Sequence, residues 1–216
     1  MQDICVGIVE DHIMFRKAII PVINEIENCR VILEAGNGLE LISELGKTVI
    51  PSIILLDLQM QNMNGYETLC WLQKNHPEIH VIILSMHSSD FTIIRYLQAG
   101  AKAFLKKNMS PGELKNAIWS VHEKGYYYTD SITRKLFNTL YRHDEIGNDF
   151  RKFVMNEKEF RFLHLAATDL TYKEIARDMK ISLRAVDKLR DRLFFKFDVK
   201  SRVALAMKAI GEGIAS

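Results

Sequence analysis

Short, almost wholly apolar runs recur through the first 125 residues: ICVGIVE at 4–10, CRVILEA at 29–35, SIILLD at 52–57, HVIILS at 80–85 and KAFLK at 102–106. Between them the apolar positions switch to helical spacing, which predicts helices at Ile13 to Glu27, Gly38 to Leu45, Gly65 to Asn75, Asp90 to Gln98 and Pro111 to Lys124. Strands this apolar need both faces covered, as in a parallel sheet packed between helices. The pattern is a strand–helix unit repeated five times, and it predicts an α/β fold with a doubly wound, five-stranded parallel sheet.

The pattern changes at Gly125. After Tyr126, Tyr127 and Tyr128, Asp130-Ser131 reads as a helix start, with Ile132, Leu136, Phe137 and Leu140 at helical spacing. Arg142 to Asn148 is polar and reads as a linker. From there on every candidate segment is helical, so a second, all-α domain is expected to begin near Phe150 to Asn156. The expected organisation is a first domain over 1–124, a linker with a helix over 125–152, and a helical domain over 153–216.

Charge sharpens this division. Residues 1–125 hold 11 Lys+Arg against 14 Asp+Glu, whereas residues 151–216 hold 15 against 9. A basic end on a near-neutral chain points to a polyanion, nucleic acid first. The chain has no uninterrupted apolar run near the roughly 18 residues of a membrane span, and acids stand in MQDICVGIVED where a signal peptide carries bases, so a soluble cytoplasmic protein is expected. Cys5, Cys29 and Cys70 form no CxxC pair and lie among apolar neighbours, which reads as structural thiols. The seven histidines make no metal-ligand spacing.

The candidate chemistry lies at the strand ends. In an open α/β sheet the functional crevice forms beyond the carboxyl ends of the strands. There strand one offers Glu10 and Asp11, and strand three ends on Asp57. Three carboxylates meeting at one edge would repel one another and raise their own pKa values, and a hard divalent cation with oxygen ligands, Mg²⁺, resolves the conflict. Strand four adds Ser85, and strand five ends in Lys106-Lys107. A cation, a hydroxyl and an ammonium around a carboxylate are suited to stabilising a phosphoryl group, with the carboxylate as nucleophile.

These residues carry a resemblance. Glu10-Asp11, Asp57 followed by Asn64-Gly65, Ser85, and GAKAFLKK from Gly100 to Lys107 resemble, in order, the motifs of a response-regulator receiver domain, with its flavodoxin-like fold. The resemblance implies that Asp57 accepts phosphate from a histidine kinase. It also implies that Glu10, Asp11, Asp57 and the backbone carbonyl of Gln59 hold Mg²⁺, that Ser85 and Lys107 grip the phosphoryl, and that Phe104 is the aromatic that reorients with Ser85. Counted from Gly100, Lys107 rather than Lys106 falls at the family's position; Phe104 is equally ordinary packing for a strand. The chain departs from the family at Met60-Gln61, where Met-Pro is usual, at Asn108, where Pro often follows the lysine, and at Met86, where the residue is often small.

In the basic end, Phe160, Leu163 and Leu165 to Ala167 suggest one helix, and Thr171 caps a second with Ile175, Ala176 and Met179 inward. Ser182 opens a third with Val186, Leu189, Leu193 and Phe197 as its buried stripe. The short link at Lys180-Ile181 gives helix-turn-helix spacing. Arg184, Lys188, Arg192 and Lys196 follow one another at four-residue intervals, a row of cations along the third helix. Asp187 and Asp191 lie beside the row, so charge alone fits a solvated face as well as a DNA-binding one; the turn and the basic balance favour DNA. Lys173-Glu174-Ile175-Ala176, Ile181-Ser182, Val186 and Lys200-Ser201-Arg202 are similar to the DNA-binding domain of the NarL/LuxR family. That similarity implies that Lys188 and Arg192 reach the groove and that Thr171, Lys173, Arg184 and Lys200 lie near phosphates, with Asp187 and Leu189 as departures. A fourth helix, Val203 to Ile210, reads as core or as a dimer seam.

The expected function is a two-component response regulator, not an enzyme. Phosphorylation of Asp57 would control a DNA-binding domain acting in transcription, through a homodimer on double-stranded DNA. The alternative is a receiver-containing transcription factor that works without phosphorylation, for which an acid would be missing; none is. A phosphohydrolase on a similar sheet would need a second Asp where Gln59 stands.

Overall fold

The computed structural model describes residues 3–47, 49–86, 90–130, 132–133, 155 and 157–211. The chain forms two compact units. In the first, β1 (Ile4–Val9) lies between β2 (Cys29–Ala35) and β3 (Ile53–Asp57), and β4 (His80–Ser85) and β5 (Ala103–Lys106) follow, giving the order β2-β1-β3-β4-β5. Every pairing is parallel. Helices α1 (Ile13–Asn24), α2 (Gly38–Leu45), α3 (Gly65–Asn75), α4 (Asp90–Gln98) and α5 (Pro111–Lys124) alternate with the strands. All five residues of β3 are buried, as the apolar run demanded.

Register does the positioning. Val9 pairs with Leu56, so the next residues, Glu10 and Asp57, leave neighbouring strands side by side. Ser85 pairs with Lys106, and the Lys107 amide donates to the Ser85 carbonyl at 2.8 Å. The order reverses at β1, which puts these ends at the topological switch point. Behind the site α3 starts sharply. Asn64 and Glu67 form a capping box, and Gly65 presses so close to β3 that a Cβ there would fall on the Asp57 carbonyl oxygen.

One helix is shorter than its sequence pattern. α1 ends at Asn24 rather than Glu27, because the chain tightens into turns in which Ile26 N donates to Ile23 O and Cys29 N to Ile26 O. Asn28 then takes a left-handed conformation at φ 56° to enter β2. Cys70 is also a correction: it is exposed, while Cys29 is buried and Cys5 half-buried. After α5, Gly125 (φ 83°) ends the helix, and the next helical start is capped by Thr129, whose hydroxyl accepts from Ile132 N, one residue before the expected Asp130-Ser131. Leu136, Phe137, Leu140 and the 142–148 linker lie outside the described residues.

The second unit holds α6 (Glu157–Ala166), α7 (Tyr172–Asp178), α8 (Leu183–Phe197) and α9 (Arg202–Gly211). Phe162, Leu163, Ile175, Val186, Leu193 and Leu205 form its centre. Thr171 caps α7 in a capping box with Glu174, and Ser182 caps α8 by accepting from Ala185 N. Between the two helices Lys180 sits at φ 53°, the left-handed turn that swings α8 away from α7. Val186, Leu189 and Leu193 are the buried stripe of α8, and Phe197, half-buried, packs against the same core. On α9, Leu205 and Ala209 are core, whereas Val203, Met207 and Ile210 are exposed.

Candidate functional site

Glu10 is fully enclosed, Asp57 is 4% exposed and Asp11 is open to solvent. One carboxylate oxygen from each of the three lies within 4.8 Å of the others. Lys107 closes the group from β5: Nζ stands 2.7 Å from Glu10 Oε2, donates to Glu10 Oε1 at 2.9 Å, and stands 3.0 Å from Asp57 Oδ1. Lys106 points out to solvent, so the doubled lysine is resolved in favour of Lys107, as alternation along a strand requires.

Residues that sequence reasoning missed fix this cluster. His12 N donates to Glu10 Oε1 at 3.1 Å, and the Arg16 guanidinium donates to the Glu10 carbonyl while its Nε faces Glu34 at 3.4 Å. The Phe15 ring lies 5.2 Å from Lys107 Nζ. All three follow Glu10-Asp11 into α1, and their only sequence signal is that proximity.

The electrostatics are those of a crowded acid pocket. Burial, with the neighbouring Glu10 charge, pushes the Asp57 carboxyl up to about 6 from 3.8, although Lys107 and the Leu58 amide oppose the rise. Burial pulls the Lys107 ammonium down, but its hydrogen bonds to Glu10 and Asp57 win and leave it raised. Asp57 Oδ1 accepts from Leu58 N at 2.8 Å as well as facing Lys107, while Oδ2 has no hydrogen-bond donor among the described residues. Glu10 Oε2, although close to Nζ, is buried and completes no hydrogen bond. Hard oxygen donors, two of them (Asp57 Oδ2 and Glu10 Oε2) without a completed hydrogen bond among the described residues, around a carboxylate that burial destabilises form a set that fits Mg²⁺.

Ser85 is buried at the end of β4, and Phe104 is buried in β5 with its ring edge-on to Tyr96 at 6.3 Å. Gln59 is exposed in the loop after β3.

In the second unit Arg184, Lys188, Arg192 and Lys200 are exposed, as are Thr171 and Lys173 at the start of α7. Thr171 already uses its hydroxyl on Glu174. The row of four cations is cut to three: Lys196 is only 10% exposed and binds the buried Glu159 of α6 at 3.1 Å. Arg192 stands 3.5 Å from Glu159 but stays 60% exposed. Arg202 donates to the Ala166 and Thr168 carbonyls at the end of α6 and lies over Tyr172, so it builds the fold rather than the surface.

An acid pocket at the switch point of a five-stranded sheet, on a chain that continues into a helix-turn-helix unit, is the architecture of a response regulator. Residues 6–119 match the response regulator receiver domain, and residues 154–209 match the bacterial regulatory proteins of the luxR family. The chain is 30% identical to the nitrate/nitrite response regulator protein NarP of Escherichia coli (strain K12), covering 92% of this chain and 91% of that protein. It is 24% identical to the response regulator UvrY of the same strain over 97% of this chain and 94% of the relative. Among solved structures it is similar in fold to RcsB of Salmonella enterica serovar Typhimurium bound to promoter rprA in the presence of phosphomimetic BeF3- (TM-score 0.71, 20% identity, 95% and 97% of the two chains). The chain belongs to the response regulators of the NarL/LuxR family. It is a two-component response regulator with a receiver domain and a DNA-binding domain that regulates transcription. Among the described residues no helix is long and apolar enough to cross a membrane.

Proposed function

We propose that Asp57 is the phosphoacceptor and that its phosphorylation by a histidine kinase controls DNA binding by the second domain. The observation that carries this reading is Oδ2, which has no hydrogen-bond donor among the described residues, on a buried carboxylate whose other oxygen is held by Lys107 and the Leu58 amide. Oδ2 attacks the phosphorus of a phosphohistidine, a P–O bond forms as the P–N bond breaks, and the imidazole leaves with the electron pair. Lys107 neutralises charge that develops on the transferred oxygens, and Ser85 donates to one of them. Mg²⁺, held by Glu10, Asp11, Asp57 and the Gln59 carbonyl, supplies further charge neutralisation when bound.

Phosphorylation replaces one negative charge with about two at the end of β3. Lys107 and Ser85 are drawn to that charge, and Phe104, beside them in β5, reorients with Ser85. The switch is a shift between two populations, to which the phosphoryl contributes its differential stabilisation. We assign 1–124 to the receiver, 125–152 to the linker and 153–216 to the DNA-binding domain, working in the cytoplasm. The phosphorylated form acts as a homodimer on double-stranded DNA. Lys188 and Arg192 enter the major groove, and Thr171, Lys173, Arg184 and Lys200 approach phosphates. Comparing the affinity of wild type and Asp57→Asn for duplex DNA, with and without acetyl phosphate and Mg²⁺, tests the reading. The phosphodonor should change wild-type affinity and leave the variant unmoved; an equal response in both refutes control through Asp57.

A further inference from the structure

The exposed ridge of α8 is not purely basic. At 3.6 residues per turn, the positions opposite the buried Val186, Leu189 and Leu193 are Arg184, Lys188, Asp191 and Phe195. Asp191 therefore stands on the crest of the helix, with its side chain 66% exposed. It is also fixed in place. Arg190 donates to Asp191 Oδ1 through Nε at 2.9 Å and Nη2 at 2.8 Å, and through Nη1 to Asp187 Oδ1 at 3.0 Å. The same guanidinium lies 5.5 Å from the Tyr172 ring of α7, which anchors the clip to the helix before the turn. Asp191 Oδ2 has no hydrogen-bond donor among the described residues.

A carboxylate on a surface that meets phosphates is repelled unless it is neutralised or finds a donor. Arg190 supplies the neutralisation for one oxygen of each aspartate and leaves the other oxygen of Asp191 as a pure acceptor. In the major groove the donors open to such an acceptor are the exocyclic amines of cytosine and adenine. Adenine presents its N7 acceptor beside that amine, which a carboxylate meets unfavourably. Cytosine presents its N4 amine, and its paired guanine presents O6 and N7, which are acceptors for a cation. On α8, Lys188 and Arg192 flank Asp191 and are exposed.

Building on the DNA-binding reading above, we infer that Asp191 is a specificity-determining residue that accepts a hydrogen bond from a cytosine N4 amine, so that α8 reads a C·G pair with a carboxylate and a neighbouring cation together. Arg190 and Asp187 are the positioning residues for that contact.

The test is selection from a random duplex DNA library by the full chain, pretreated with acetyl phosphate and Mg²⁺, for wild type, Asp191→Ala and Asp191→Asn. Wild type enriches a C·G pair at one position in each half-site. Asp191→Ala loses that preference by roughly tenfold while the other positions keep theirs, and Asp191→Asn moves it towards A·T, since an amide pairs with adenine N6 and N7. Because Asp191 is exposed, both variants keep the unfolding midpoint of the wild type. The same motif from all three proteins overturns the inference. So does a uniform rise in affinity for every sequence in Asp191→Ala, which would make the carboxylate a repulsive charge and nothing more. Failure of wild type to retain any duplex would instead refute the DNA-binding reading, and this inference with it.

Discussion

Lys107 Nζ stands 3.0 Å from Asp57 Oδ1, a contact that ties the end of β5 to the end of β3 across the intervening β4. The same ammonium binds Glu10 of β1, so one cation joins three strand ends. Removing it leaves two buried carboxylates facing each other.

Lys107→Ala should therefore lower stability at pH 7, in the absence of divalent cations, by about 3 kcal/mol, the cost of breaking a buried ion pair by deleting one partner. The loss should shrink as pH falls through the raised pKa of Asp57 and that carboxyl protonates. Urea denaturation at pH 7 and pH 5 checks both; a loss that does not vary with pH would mean the lysine acts through packing alone.

Asp57→Asn should stabilise the metal-free protein at pH 7. The folded-state pKa of Asp57 lies above its unfolded value, at about 6 against 3.8, so the native state binds the proton more tightly. Wild-type stability then falls as pH rises through that interval, by on the order of 2–3 kcal/mol, and is unaffected below it. The variant has no such dependence, and its advantage should vanish towards pH 4. Chemical denaturation in a chelating buffer across pH 4–7 measures the difference, and parallel curves for the two proteins would contradict the raised pKa.

Gly65→Ala should cost about 2–3 kcal/mol, because the new methyl group meets the Asp57 carbonyl, which is backbone and cannot swing aside. It should also weaken Mg²⁺ binding by shifting the loop between Asp57 and α3. Calorimetric unfolding and Mg²⁺ titration followed by Trp71 and Trp119 fluorescence read the two effects.

Lys196 and Lys188 should behave oppositely. Lys196→Met removes the nearer cation from the buried Glu159 and leaves it Arg192 at 3.5 Å, so it should destabilise the second unit by about 2 kcal/mol. Lys188→Ala, exposed, should change stability by less than about 0.5 kcal/mol. It should instead weaken DNA binding and lower the slope of log affinity against log salt by about one. Unfolding curves and fluorescence anisotropy at several salt concentrations separate the two residues.

The contrast between these lysines shows what the sequence can carry. Four cations at four-residue spacing define a face, but nothing in that spacing tells of Glu159, which lies 37 residues before Lys196 and is delivered by the packing of α6 against α8. Asp57 was legible because a wholly apolar run ending on an acid is a local pattern, and Lys107 through the receiver resemblance, since counting from Gly100 picks it and alternation only sets the two lysines on opposite faces. Glu10 and Asp57 meet because β1 and β3 are neighbours, a strand order that the hydrophobic pattern does not specify. The supports of the pocket, Arg16 holding a carbonyl and Phe15 beside an ammonium, depend on where α1 crosses the sheet, which periodicity does not specify. The early end of α1 was hidden for a similar reason: Glu25, Ile26 and Glu27 continue the amphipathic spacing, and the entry into β2 overrides it. Cys70 has apolar sequence neighbours yet lies on the outer face of α3, where sequence proximity and burial part company.

The most direct measurement is phosphoryl incorporation from acetyl phosphate in the presence of Mg²⁺, followed by intact mass and by sensitivity to hydroxylamine. Wild type should gain one hydroxylamine-labile phosphoryl group, lose the capacity when Mg²⁺ is chelated, and retain none in Asp57→Asn. Undiminished incorporation in that variant would remove Asp57 from the centre of this account.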